Sequence, residues 1–224
     1  MDYFVGVDGG GSETRAVVVS DTLEVLGRGS AGASNHFVAG AAAAAQNCDA
    51  AARAAMEAAA RMAPGFTPPA VAGWGFGLAG VRRPQDIAVV RPHLEALCHG
   101  RPMALETDAA AAHQGAFNGA PGIILIAGTG AIALGVDAEG ERFYSDGWGP
   151  VLGDEGSGYW IGLEALKAVC RAADGRGPKT RLTAPVLNAL RVPHVAALVH
   201  LVHGKDERRE QIAQLAPLVL DMAG

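Results

Sequence analysis

Cysteine is scarce and unpaired: Cys48, Cys98 and Cys170 are odd in number, widely separated and in no C-x-x-C pair. That excludes a disulfide framework and a structural zinc site, and it points to a reducing cytoplasm. Blocks of basic residues are also missing. The net charge is −5, from 18 Lys and Arg against 23 Asp and Glu, so no nucleic-acid footprint and no attraction to anionic membranes is expected. No basic segment precedes the first apolar stretch, as it would in a signal peptide, and no apolar run reaches the length of a membrane span. Three histidines near the end, His194, His200 and His203, lack carboxylate or cysteine partners at ligand spacing and are read as solvated or capping residues. What remains is a 224-residue chain that is 50% hydrophobic and 18% charged, enough for one large or two small globular domains.

Glycine is plentiful, 31 residues, and it gathers at the ends of apolar runs. The first such place is Val5-Gly6-Val7-Asp8-Gly9-Gly10-Gly11-Ser12-Glu13-Thr14, where an apolar strand ends in a carboxylate, runs through three glycines and a hydroxyl, and enters a second apolar run, Arg15 to Val19. Glycines there can turn with positive φ and bring main-chain N–H groups close to anionic oxygens, while Asp8 is placed to hold a divalent cation. The G-x-x-x-x-G-K-S/T pattern is absent. The segment after the glycines reads as a strand, which also excludes a Rossmann fingerprint. A ligand-free glycine hairpin is the alternative.

Gly122 to Asp137 repeats the plan. Ile123 to Ala127 is a continuous apolar run, expected to be a strand buried on both faces, and Gly128-Thr129-Gly130 forms a hydroxyl-bearing turn into a further strand. Between these features, Met103 to Asp108 reads as a strand ending in a carboxylate ahead of an Ala-rich helix, Ala109 to Ala116. Asp108 is either a helix N-cap or a catalytic group.

Strands are expected near 3–8, 14–20, 24–29, 70–75 and 103–107, then 123–127, 131–136 and 141–145. Ala39 to Ala63 reads as one Ala-rich helix with Asp49, Arg53, Glu57 and Arg61 four apart on a solvated face. It ends at Pro64 and the Pro68-Pro69 pair. A helix over 86–97 should kink or restart at Pro92, and the later helices are expected at 156–173, 180–190, 194–203 and 206–222.

These motifs carry a resemblance. Asp8 to Thr14, Ala33-Ser34-Asn35-His36, Gly77-Leu78-Ala79-Gly80, Thr107 to Ala111, Gly128-Thr129-Gly130 and the dense string Gly147 to Gly158 stand in the order found in BadF/BadG/BcrA/BcrD-type ATPases. Within that family the chain most resembles the N-acetylglucosamine and glucosamine kinases of the actin/hexokinase/Hsp70 superfamily. The resemblance implies an α/β fold of two ribonuclease H-like domains, an actin-like ATPase fold, over residues 1–117 and 118–224, with a nucleotide and sugar cleft between them. The family continues to a late adenosine-binding strand and helix, whereas this sequence stops at Asp221-Met222-Ala223-Gly224, so the second domain is expected to be truncated and ATP to be held poorly.

The resemblance further implies an ATP-dependent, cytoplasmic kinase acting on an amino sugar, with ATP and Mg²⁺ as cofactors. Asp108 would be the base, Asp8 would hold the metal, and Gly9, Gly10, Gly11, Ser12, Thr14, Gly128, Thr129 and Gly130 would bind phosphates. Asn35, Asp108, Gly128, Gly147, Trp148 and Asp154 would contact the sugar. Trp148 could equally be core, and Glu155 could simply cap the following helix. The expected partner is a small-molecule amino sugar, with no nucleic acid and no membrane; a homodimer is left open. Two other readings stand beside this one: an ATPase activator of a 2-hydroxyacyl-CoA dehydratase or benzoyl-CoA reductase, which needs cysteines near the second glycine turn, and a sugar-binding regulator without catalysis.

Overall fold

Alternation of buried and exposed residues in Tyr3–Gly9 (β1) and Thr14–Ser20 (β2) makes both half-buried strands, with Tyr3, Val5 and Val7 turned into a core. Val25–Ala31 (β3) follows, then a short helix, His36–Ala39 (α1), and a long one, Ala41–Met62 (α2). Val71–Leu78 (β4), Pro84–Leu97 (α3), Met103–Thr107 (β5) and Asp108–Phe117 (α4) complete the first half. The second half holds strands Gly122–Ala127 (β6), Ala131–Val136 (β7) and Arg142–Asp146 (β8). Its helices are Gly158–Ala173 (α5), Thr183–Leu190 (α6), Leu198–His203 (α7), Arg209–Ala213 (α8) and Leu215–Ala223 (α9). This computed structural model describes residues 2–63, 66, 71–203 and 209–223. Pro64, Pro68, Pro69 and residues 206–208, on which expectations were placed, lie outside the described residues.

The chain divides into two compact units, Met1–Gly122 and Ile123–Gly224. In the first, the sheet runs in the order β3-β2-β1-β4-β5, with β1, β2 and β3 antiparallel neighbours and β1, β4 and β5 parallel. Parallel neighbours need a crossover, supplied here by α2 between β3 and β4 and by α3 between β4 and β5. The three parallel strands end in one row, Gly9 beside Leu78 and Leu78 beside Thr107. One face of the sheet, with Val5, Val7, Val18, Trp74, Phe76 and Leu78, packs on the alanines of α2 and on Val90 and Leu94 of α3.

The solvated stripe of α2 is as expected: Arg53, Glu57 and Arg61 are exposed, and Arg53 pairs with Asp49 at 2.8 Å. Its opposite side carries only small groups, Ala44, Ala45, Cys48, Ala51, Ala52, Ala55 and Ala59. They meet Gly27 and Gly29 of β3, where a Cβ on Gly29 would stand 2.5 Å from the Ala55 nitrogen and overlap the Ala51 carbonyl oxygen. Helix and sheet therefore touch backbone to backbone. Gly29→Ala should destabilise the first unit by roughly 1–3 kcal/mol through overpacking. Urea unfolding checks this, and an unchanged midpoint would mean that α2 can shift away without loss.

Several expectations need correction. Helix α3 is continuous through Pro92, which lies on its exposed side, so there is no restart. The helix expected over 206–222 is instead α8 and α9, because Pro217 belongs in a first turn and starts a new helix. Pro185 likewise sits in the first turn of α6, which begins at Thr183 and not at 180. The stretch 194–203 opens as a 3₁₀ turn, Val195–Ala197, before α7. Strand β6 is not buried on both faces. Ile123 is 76% and Leu125 73% exposed, alternating with half-buried Ile124 and Ile126. The second sheet has the order β6-β7-β8, and the core of the second unit lies among its helices, around Leu166, Val169, Val186, Leu198, Ile212 and Leu215. Among the described residues no single helix is long and apolar enough to cross a membrane.

Candidate active site

The parallel strands of the first unit bring two carboxylates to one edge. Ligands favour the carboxyl ends of such strands, where loops are free to vary. Asp8 stands beside Gly77 in register, and Asp108 follows Thr107 at the end of β5. Gly77 closes the arrangement. A Cβ there would lie 2.5 Å from the Cβ of Ala111 and 3.7 Å from the Cα of Asp108, so only glycine lets α4 settle on β4 with Asp108 beside Asp8. In the sequence Gly77 is only one member of a glycine-rich strand, and its contact partner is more than thirty positions away.

Asp108 is not the helix cap. Thr107 is: its hydroxyl accepts from the Ala110 N–H at 3.0 Å, leaving Asp108 as the first helical residue, with Oδ1 accepting from its neighbour Ala109 at 2.8 Å. Burial pushes the Asp108 carboxyl above the ordinary aspartate value, the Ala109 N–H partly offsets this, and the negative charge of Asp8 pushes it up further. The Asp8 carboxyl is raised as well, by loss of water first, against the lowering pull of Arg15. Arg15 is itself paired with Glu13 at 2.8 Å. Two neighbouring carboxyls, each with its proton affinity raised by burial, suit a proton acceptor and a cation-binding group.

The glycine hairpin between β1 and β2 is stitched to the loop bearing Asn35. The Gly10 carbonyl accepts from the N–H groups of Ser34 and Asn35, at 3.0 and 2.9 Å, and the Gly10 N–H donates to the Glu13 carbonyl. Gly9, Gly10 and Gly11 do not have positive φ. Gly9 is required sterically instead, because a Cβ would collide with Ser34 and Leu78. Thr14 is fully buried and donates to the Gly32 carbonyl at 2.6 Å, with Ser34 Oγ at 2.8 Å. Its hydroxyl is thus a strut that ties the hairpin to the 32–34 loop. Asn47 of α2 pins the same loop from below by donating to the Ala33 carbonyl at 2.6 Å. Asn35 caps α1, its Oδ1 accepting from Phe37.

In the second unit, the Gly128-Thr129-Gly130 turn is tied to the start of α5. The Gly128 N–H donates to the Gly130 carbonyl at 2.9 Å, and the Gly128 carbonyl accepts from Gly158 at 2.8 Å. Ser157, not Glu155, caps α5, accepting from the Trp160 N–H. Trp148 is 55% exposed and is therefore not core. Asp154 is 5% exposed, and its Oδ1 accepts from the Ala131 N–H at 3.3 Å, just after the turn. Arg209 lies 3.8 Å from its other oxygen and over the ring of Tyr159. Burial raises the Asp154 carboxyl, and the Ala131 N–H and Arg209 only partly offset it. A carboxylate so enclosed braces the turn. Sequence reasoning missed Asp146. Its carboxylate accepts from Trp148 at 3.4 Å, Asp154 at 2.9 Å and Glu155 at 3.1 Å. Its place directly before Gly147 was the one available signal.

His194, His200 and His203 are exposed, and no group of three or more His, Cys, Asp or Glu suited to a metal occurs among the described residues. Cys48 and Cys98 are buried thiols, both pushed up to about 11, chiefly by burial.

The BadF/BadG/BcrA/BcrD ATPase family model matches residues 5–224. An N-acetylmuramic acid/N-acetylglucosamine kinase of Clostridium acetobutylicum is 35% identical over 144 residues, which is 64% of this chain and 47% of that one, so the match spans less than half of that relative. An N-acetyl-D-glucosamine kinase of Dictyostelium discoideum is 32% identical over 99% of this chain and 71% of its own length. A solved Chromobacterium violaceum structure, provisionally named an N-acetylglucosamine kinase, superposes with a TM-score of 0.78 at 31% identity, over 100% of this chain and 75% of that one.

Proposed function

Because the chain belongs to the BadF/BadG/BcrA/BcrD ATPase family, we propose that it is an ATP-dependent kinase that phosphorylates a hydroxyl of N-acetylglucosamine or glucosamine. The observation that carries this reading is the pairing of Asp8 and Asp108 across Gly77 at the carboxyl edge of β1, β4 and β5. The names of the relatives support the substrate class.

Asp108 accepts the proton of the attacking sugar hydroxyl. The sugar oxygen then bonds to the γ-phosphorus as the bond to the ADP oxygen breaks. General-base assistance of this kind is typically worth ~10²–10⁴-fold. The raised Asp108 carboxyl fits the task, since a base works best when its pKa approaches the working pH. Gly11 and Ser12 of the hairpin and Thr129 and Gly130 of the second turn serve the phosphates, while Gly9, Gly10 and Thr14 hold the hairpin's shape. Asn35, Gly147 and Trp148 face the sugar, Trp148 offering its exposed ring to the C–H face of the pyranose.

The donor set also fits Mg²⁺. Asp8 and Asp108 form a pair of oxygen-donor side chains with raised carboxyls, and Mg²⁺ usually takes one or two carboxylates and completes its shell with water and substrate phosphates. Asp8 would hold it, and the ion would spread the negative charge of the transferring phosphoryl group. We read the two units as two ribonuclease H-like domains, a reading supported in the first by the β3-β2-β1-β4-β5 order.

The deciding experiment is ADP release with glucosamine, N-acetylglucosamine, N-acetylmuramic acid, glucose or no sugar. Release that depends on N-acetylglucosamine or glucosamine is the expected result. Release that is the same with and without every sugar would remove the kinase reading.

A further inference from the structure

Asp146 ends β8 with a left-handed backbone, φ 65°, where a non-glycine residue needs a reason to be. The reason is its carboxylate. Burial alone would push this carboxyl up, yet it is held below the ordinary value by the N–H groups of Asp154, Trp148, Glu155 and Gly147. Oδ1 takes Asp154 at 2.9 Å and Trp148 at 3.4 Å, and Oδ2 takes Glu155 at 3.1 Å. Gly153 passes so close that a Cβ on it would overlap Oδ1, so the loop is drawn tightly around the side chain.

The connections continue beyond the loop. Asp154 leaves its N–H on Asp146 and turns its own carboxylate to the Ala131 N–H at 3.3 Å, against Gly130, where an added Cβ would come within 2.9 Å of Oδ2. The Asp154 carbonyl accepts from Ser157, the cap of α5, and the Gly147 N–H returns to the Ala131 carbonyl at 3.1 Å. A short chain of bonds thus runs from Asp146 through Asp154 to the Gly128-Thr129-Gly130 turn, with Trp148 held in the same wrap.

We infer that Asp146 is a positioning residue that fixes the Trp148 loop and, through Asp154, the Gly128-Thr129-Gly130 turn as one piece. This rests on the kinase reading for its functional meaning: the loop faces the sugar and the turn faces the phosphates. Loosening Asp146 therefore weakens both substrates together without touching the base, Asp108. A misplacement of about an ångström in positioning groups is enough for large rate losses.

The test uses Asp146→Ala and Asp146→Asn in the full chain. Asparagine tolerates the left-handed backbone and keeps one acceptor oxygen, whereas alanine keeps neither advantage. In Asp146→Ala, amide exchange at Asp154, Glu155 and Ala131 should quicken about tenfold or more, as expected for loss of charged acceptors. KM for sugar and for ATP should rise together by about tenfold, with the acid limb of the pH profile unmoved and Asp146→Asn recovering part of the loss. Unchanged exchange at Ala131, or unchanged KM values with only a smaller folded fraction, would overturn the inference. If the wild-type chain releases no ADP with any sugar, the kinase reading fails, and exchange at Ala131 still decides whether Asp146 fixes the turn.

Discussion

Asp108→Asn should lower sugar-dependent turnover by roughly a hundredfold or more and at the same time raise the melting temperature at neutral pH. The first effect follows from removing the proton acceptor while leaving sugar affinity within a few-fold. The second follows from linkage. Burial and the charge of Asp8 raise the Asp108 carboxyl in the folded chain above its unfolded value. Such a group contributes stability that is fully present below the unfolded pKa and is lost as pH rises through the folded pKa, so the ionised form costs stability at pH 7. An amide of the same shape removes that cost and keeps the Ala109 N–H bond through its oxygen. Stability given up at a catalytic group is a common trade. Turnover in the wild type should therefore fall on the acid side with a midpoint above the ordinary aspartate value. Normal turnover in Asp108→Asn would make Asp108 a helix-start residue and nothing more, since Thr107 already holds the cap.

Asp8→Ala should abolish magnesium-dependent turnover while calorimetry still detects sugar binding. Asp8 and Asp108 lie on the same edge and sense each other's charge, so the milder Asp8→Asn carries a second, signed expectation. Removing the negative charge removes one of the influences that raise the Asp108 carboxyl, and the acid limb of whatever turnover remains should move to lower pH. Loss of sugar binding together with turnover would instead indicate a folding defect in β1, where Asp8 pairs with Arg15 of β2 and Gly77 of β4. An acid limb that stays in place would mean that the two carboxyls are not coupled.

Local pattern carried much of the fold. Strands 14–20, 103–107 and 131–136 are found over those residues, because apolar runs bounded by glycine, proline or a turn leave the backbone few alternatives. The solvated stripe of α2 is readable for the same reason: its pairing is settled within four residues. The placement of Asp8 at the end of β1 and of Asp108 just after β5 is legible in the same way, because an apolar run that breaks at glycines or at a helix start marks a strand end.

The fate of individual polar groups was a matter of long-range contact. The Thr14 hydroxyl finds its partners in Gly32 and Ser34, eighteen and twenty residues on. Asp154 has its Oδ1 on the Ala131 N–H, twenty-three residues back, a partner that no local pattern announces. Asp146 carries no motif of its own, and only the folding of the 147–155 loop around it gives the carboxylate its N–H partners. Gly77 matters because Ala111 arrives there. The apolar run of β6 states that side chains can be buried and leaves open whether a second layer covers each face, and Ile123 and Leu125 are exposed. Sequence period sets which way side chains point along an element. Which donor meets which acceptor, and which face is covered, depends on elements distant in the chain, and those pairings exist only once the backbone has closed around them.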